Sequence, residues 1–108
     1  MAGAEFQIAE RVVDGTAVVA PQGDIDAYTG PRLAECLDST VNATTGNITI
    51  DLAGVDFVDS SGIAVFVAAA KRLRERGDHL VVQSPTRSVT KLLEMTGVTK
   101  LVKLESGR

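Results

Sequence analysis

The stretch Asp56-Phe57-Val58-Asp59-Ser60-Ser61-Gly62 constrains the fold more than any other part of the chain. It separates Asn47-Ile48-Thr49-Ile50-Asp51-Leu52, whose β-branched middle predicts a strand, from Ile63 to Arg76, whose apolar spacing predicts a helix. A strand that feeds a helix and then another strand, here Leu80-Val81-Val82-Gln83, implies a parallel, right-handed crossover. The central stretch therefore lies where a helix N-terminus leaves backbone amides unpaired. Asp59, Ser60 and Ser61 are each suited to cap that terminus through a side-chain oxygen. The same place also suits an anion, because the dipole and the free amides can hold a phosphoryl group on a nearby serine. Asp56 and Asp59 would repel such a group, so a phosphate here suits switching a surface better than stabilising a fold. From the residues alone, both the cap and the phosphate site stay open.

The flanking segments extend the pattern. Phe6-Gln7-Ile8-Ala9 and Thr16-Ala17-Val18-Val19-Ala20-Pro21 predict two strands, and Asp14-Gly15 predicts the tight turn that makes them a hairpin. Gly23-Asp24-Ile25-Asp26 follows. A helix is then expected to begin between Thr29 and Pro31, burying Leu33, Cys36, Leu37 and Val41. In the helix after the central stretch, Ile63, Phe66, Val67, Ala70 and Leu73 share one face. Lys71, Arg72, Arg74 and Arg76 suit its C-terminus, and Gly77 ends it. Ser84-Pro85-Thr86 opens a third helix lined by Val89, Leu92, Leu93 and Thr96, which stops at Thr96-Gly97-Val98. Leu101-Val102-Lys103-Leu104 predicts the last strand. The expected fold class is α/β: a mostly parallel sheet of about five strands, the first two a hairpin, with helices packed on it.

Composition narrows the function classes. A chain of 108 residues is expected to form one domain, with its core from about Phe6 to Leu104. Hydrophobic residues make up 44% and aromatics only 4%, so the core must be aliphatic. A net charge of −3 and a pI near 5.0 argue against binding a nucleic-acid backbone. The single Cys36 excludes an intramolecular disulfide and a cysteine-built metal site. It is expected to pack as a small hydrophobe, with a redox role the minor alternative. No apolar run is long enough for a membrane span and no signal-peptide pattern is present, which points to the cytoplasm. Nothing in the sequence requires a metal or a cofactor.

Parallel strands end on a common edge, so the loop Gly23 to Asp26, the loop Asp56 to Ser60 and the Ser84-Pro85 turn should share one rim. Asp24, Asp26, Asp56 and Asp59 either form an acidic patch around Ser60 or each cap and solvate their own loop. A serine hydrolase is excluded. The Gly-x-Ser-x-Gly elbow is absent, and the only histidine, His79, follows the helix that Ser60 begins. Roughly 16 residues of helix at ~1.5 Å each put the two about 24 Å apart, whereas a base must lie within ~3 Å of its nucleophile. His79 is expected at the surface, at a strand start. A receiver-like domain would also gather carboxylates at this rim, around Mg²⁺. Here, however, the acidic pair follows the second strand of a hairpin, and Lys100 and Lys103 lie before and within the last strand rather than beyond it.

Three stretches in register resemble a known family. Ile50-Asp51-Leu52 followed by Val58-Asp59-Ser60-Ser61-Gly62-Ile63 is similar to the phosphoacceptor segment of the STAS domains called anti-sigma factor antagonists. Gly23-Asp24-Ile25-Asp26 looks like the family's Gly-acid-apolar-Asp turn. Ser84-Pro85 with Val89, Lys91-Leu92-Leu93 and Met95-Thr96-Gly97-Val98 resembles its last helix and final turn. The resemblance covers Phe6 to Leu104. It implies a binding module switched by phosphorylation rather than an enzyme, with Ser60 as phosphoacceptor and Asp26 as the family's turn Asp. It also implies as partners an anti-sigma factor that is an ATP-dependent serine kinase, and a serine phosphatase. The unphosphorylated form would bind the anti-sigma factor and free the sigma factor, and phosphorylation of Ser60 would break that complex. The contact surface would comprise Asp24, Asp26, Asp59, Ser60, Ser61, Gly62, Ile63, Ala64 and Val65, with Ala64 and Val65 better placed at the surface than Ile63. The rival within the fold is a STAS regulatory module without kinase control, in which Ser60 is a plain cap.

Overall fold

The computed structural model describes residues 5–105. Its elements follow the order β1 (Gln7–Val13), β2 (Thr16–Gln22), α1 (Gly30–Ala43), β3 (Ile48–Asp51), α2 (Ser60–Glu75), β4 (Leu80–Gln83), α3 (Arg87–Met95) and β5 (Lys103–Glu105), with a 3-10 turn at Val98–Lys100. The sheet order is β1-β2-β3-β4-β5; the first pair is antiparallel and the others parallel. At the hairpin, Asp14 and Gly15 both have positive φ, 53° and 81°, as a two-residue type I′ turn requires.

Each crossover moves one strand further in the same direction. Right-handed connections then put α1, α2 and α3 on one face of the sheet. The burial agrees: in β3, Ile48 and Ile50 are buried while Thr49 and Asp51 are half-exposed. A single aliphatic core joins Val19, Ile48, Ile50, Leu80 and Val82 of the sheet to Leu33, Leu37, Phe66, Leu73, Val89 and Leu93 of the helices. On the other face, Val18, Thr49, Val81 and Lys103 stand in register, and Arg11, Thr16, Gln83 and Glu105 line the same shallow, polar hollow. Val18 and Val81, only 5% and 6% exposed, are sheltered there without a helix.

Three boundaries depart from the sequence expectation. β1 runs on to Val13 rather than ending at Ala9, because the I′ turn zips the hairpin fully, Val13 pairing with Thr16. The last strand begins at Lys103, not Leu101, because the 3-10 turn after Gly97 consumes Val98 to Lys100 and Leu101 closes it by donating to Val98. α2 begins at Ser60 rather than Ile63, and its fully buried face is Gly62, Phe66, Ala69, Ala70 and Leu73, with Ile63 and Val67 only partly buried. α1 buries Leu33, Leu37 and Val41 as expected, plus Thr40, whose hydroxyl donates to the Cys36 carbonyl at 2.8 Å. Arg76 joins the two long helices: its guanidinium donates to the carbonyl of Val41 in the last turn of α1 and to those of Thr44 and Gly46 just beyond it.

Candidate functional site

α2 meets the sheet at the C-terminal edge of β3, and its first turn decides what Ser60 can do. Asp59 occupies the N-cap with extended backbone, and its Oδ1 accepts from the amides of Ser61 at 2.8 Å and Gly62 at 3.3 Å. The cap is therefore Asp59. Ser60 is already the first helical residue, is exposed, and its hydroxyl has no hydrogen-bond partner among the described residues. Ser61 and Ile63 are half-buried, Ala64 is exposed, and Val65 is half-buried beside Gly30 of α1, so it is less free than its position in sequence suggests.

Gly62 has a packing reason to be glycine. A Cβ there would stand 2.5 Å from Val58 Cγ1 and 2.7 Å from Ile25 Cγ2. The head of α2 thus presses directly on two core residues that are themselves bridged. Ile25 and Val58 form an isolated parallel β-bridge, in which the Ile25 amide donates to the Phe57 carbonyl at 2.9 Å and the Asp59 amide donates to the Ile25 carbonyl at 3.0 Å. The Gly23 amide adds a bond to the Gly54 carbonyl. These bonds prolong the β2–β3 pairing past the ends of the strands and hold the Gly23–Asp26 loop against the loop that leads to Ser60. The first turn of α3, just past the Ser84-Pro85 turn, meets them at Ser88, whose hydroxyl lies 3.5 Å from the Asp56 carbonyl.

The acidic residues on this rim divide by task. Asp26 Oδ1 accepts from the amides of Tyr28 and Thr29, and these bonds hold its carboxyl below the ordinary value of 3.8. Asp59 caps α2. Asp24 and Asp56 are exposed and, among the described residues, their carboxylates have no partner, so they supply charge rather than structure. Sequence reasoning did not single out two exposed aromatics: Tyr28 is 89% exposed and Phe57 52%. Phe57 directly follows Asp56 and Tyr28 stands two residues after Asp26, in a chain whose other aromatics, Phe6 and Phe66, are buried. It also missed Thr29, whose hydroxyl donates to the Asp24 carbonyl at 2.7 Å and accepts from the Asp26 amide at 2.9 Å. An aromatic within two residues of a loop aspartate was the available signal for the first two; nothing in the sequence marks the backward-pointing bonds of the third.

His79 precedes β4, beyond the opposite end of α2 from Ser60, and its amide donates to Asn47 Oδ1. Among the described residues no group of three or more His, Cys, Asp or Glu side chains could hold a metal ion. No helix there is long and apolar enough to cross a membrane. Cys36 is half-buried against the core, and burial, with the Glu10 carboxylate beside it, pushes its thiol up to about 11. That environment disfavours the reactive thiolate.

Fold and site together define an α/β domain with its helices on one face of the sheet and an exposed serine at the start of α2, where the chain leaves the rim beyond β3. The chain belongs to the STAS domain family, whose pattern it matches over residues 7–107. It is 34% identical over 101 residues to the anti-sigma-B factor antagonist of Listeria monocytogenes, covering 94% of this chain and 88% of that protein. An anti-sigma factor antagonist from Mycobacterium paratuberculosis superposes with a TM-score of 0.85 at 25% identity, over 94% of this chain and 86% of that one. The cell-fate determinant SpoIIAA of Bacillus, solved in a phosphorylated form, shares the fold at 16% identity, with a TM-score of 0.73 over 96% and 92% of the two chains.

Proposed function

We propose that this protein is an anti-sigma factor antagonist whose binding is switched by phosphorylation of Ser60. In the unphosphorylated form it holds an anti-sigma factor, so that the sigma factor goes free. That anti-sigma factor is an ATP-dependent serine kinase, which ends the complex by phosphorylating Ser60, and a serine phosphatase resets it. The protein is itself no enzyme, and it works in the cytoplasm without nucleic acid, membrane, metal or cofactor. The observation that carries this reading is the free Ser60 hydroxyl. Because Asp59 caps α2, Ser60 is exposed at the head of the helix with no structural duty.

The surroundings supply a mechanism. A phosphoryl group adds about −1.5 to −2 charge to a rim that already holds Asp24, Asp26, Asp56 and Asp59. A partner matched to the uncharged hydroxyl then loses both shape fit and charge balance. Ser61, Gly62, Ile63, Ala64 and Val65 form the helical side of the contact surface, with Ala64 its most exposed apolar member. Tyr28 and Phe57 supply the aromatic area that anchors interfaces of this kind. The test is a pull-down from lysate of the source organism with Ser60→Ala and Ser60→Asp as paired baits, each with and without ADP. Recovery on Ser60→Ala alone of a small ATP-binding kinase that phosphorylates wild type at one site is the expected result. The same partners on both baits would overturn the reading.

A further inference from the structure

Thr29 breaks a local rule. It stands at the N-cap of α1, where a threonine hydroxyl ordinarily accepts from the amide of the second or third helical residue, yet it makes no such bond. The second helical residue is Pro31, which has no amide to offer. The hydroxyl points back instead. It accepts from the Asp26 amide at 2.9 Å and donates to the Asp24 carbonyl at 2.7 Å, with Asp26 Oδ1 at 3.2 Å as an alternative acceptor. These bonds grip the residues on either side of Ile25. Ile25 in turn is the residue whose amide and carbonyl both bind the other loop, through Phe57 and Asp59. Asp59 is the cap that sets the first turn of α2 and stands immediately before Ser60.

We propose that Thr29 is a positioning residue for Ser60: its hydroxyl fixes the Asp24–Asp26 backbone as the rigid edge against which the Phe57–Asp59 loop is bonded, and so sets the pose in which the kinase meets Ser60. This rests on the function proposed above. Among the described residues the Thr29 hydroxyl makes no hydrogen bond to Ser60 or to α2, and it acts through Ile25 and Asp59. Removing the hydroxyl frees a carbonyl and an amide on a half-exposed loop, where water replaces both bonds. The loop then loosens without emptying any part of the core.

The test uses Thr29→Val, which keeps the β-branched shape, and Thr29→Ser, which keeps the hydroxyl. Amide hydrogen exchange at Asp59 is read against Val82, whose strand lies in the core. The KM and kcat of Ser60 phosphorylation are read with the kinase recovered on the Ser60→Ala bait. In Thr29→Val, exchange at Asp59 is expected to be about tenfold faster with Val82 unchanged. KM should rise several-fold at constant kcat, and Thr29→Ser should restore both. Unchanged exchange at Asp59, equal acceleration at Val82, or faster exchange with an unchanged KM would each overturn the inference. Failure of the wild-type protein to be phosphorylated at all ends the proposed function instead, and exchange at Asp59 then decides whether Thr29 holds the loop.

Discussion

Asp59 and Ser60 are adjacent, polar and at the same helix end, yet the structure gives them separate roles. Asp59 satisfies two of the amides that α2 would otherwise leave unpaired, and Ser60 satisfies none. Asp59→Ala should therefore cost about 0.5–2 kcal/mol, the ordinary loss of an N-cap, whereas Ser60→Ala should stay within about 0.5 kcal/mol of wild type. Urea unfolding of the two variants checks this, and the reverse order would make Ser60 the cap. Asp26 makes a prediction about pH. Its folded pKa lies below the ordinary 3.8 because the Thr29 and Tyr28 amides bond its ionised form. The stability it contributes is thus fully present above 3.8 and is lost as pH falls through the folded value. Asp26→Asn keeps an acceptor oxygen but cannot titrate, so the stability gap between it and wild type should narrow on acidification below that range. A gap that is constant with pH would show that the charge does not contribute.

Among the polar links between elements, Arg76 ties two helix ends together with one side chain. One guanidinium reaches the carbonyls of Val41, Thr44 and Gly46 and pairs with Asp78, so it closes the end of α1 from the end of α2. Its side chain is 29% exposed and its loss would leave three backbone carbonyls without their donor, so Arg76→Ala should cost about 1–3 kcal/mol by chemical denaturation. Arg72, which pairs with Asp38 and Asn42 on the surface, should cost under about 1 kcal/mol when replaced by alanine. None of this was legible in the sequence, where Arg72 and Arg76 belong to one basic run at a helix end. Periodicity tells which residues share a face, but not which of several like charges finds carbonyls 30 residues away. The elements themselves were legible because β-branched runs, Asp14-Gly15, Pro31 and Gly77 all point the same way locally. The start of β5 was not, since Leu101 and Val102 suit a strand but are used by the turn that follows Gly97. At the rim, the motifs put Ser60 at a helix start and Asp26 in a turn, which is where they stand in the fold. The bracket around Ile25 was hidden, because it consists of backbone bonds and a threonine that reads as an ordinary cap.

At the scale of the molecule, the constant direction of the strand order leaves one sheet face open and gathers every helix on the other. The alternation Ile48-Thr49-Ile50-Asp51 carries that information, because a parallel strand covered on both faces reads as continuously apolar. The same one-sidedness bears on how a switch at Ser60 can work. Ser60 lies outside the core, at the head of α2, and α2 is tied down by Asp59, by Gly62 seated on Ile25 and Val58, and by Arg76 at its far end. A phosphoryl group placed there is favoured by the helix dipole and opposed by Asp59, two effects of opposite sign. Neither reaches the sheet. Phosphorylation should therefore change the surface and leave the fold alone, shifting unfolding free energy by less than about 1 kcal/mol. The measurement is a comparison of amide chemical shifts in the phosphorylated and unphosphorylated proteins. Changes should be confined to residues 24–29 and 57–64, with β1 and β5 unmoved. Shifts spread across the sheet, or a large loss of stability, would mean that the switch acts by remodelling the domain rather than by altering the rim that a partner meets.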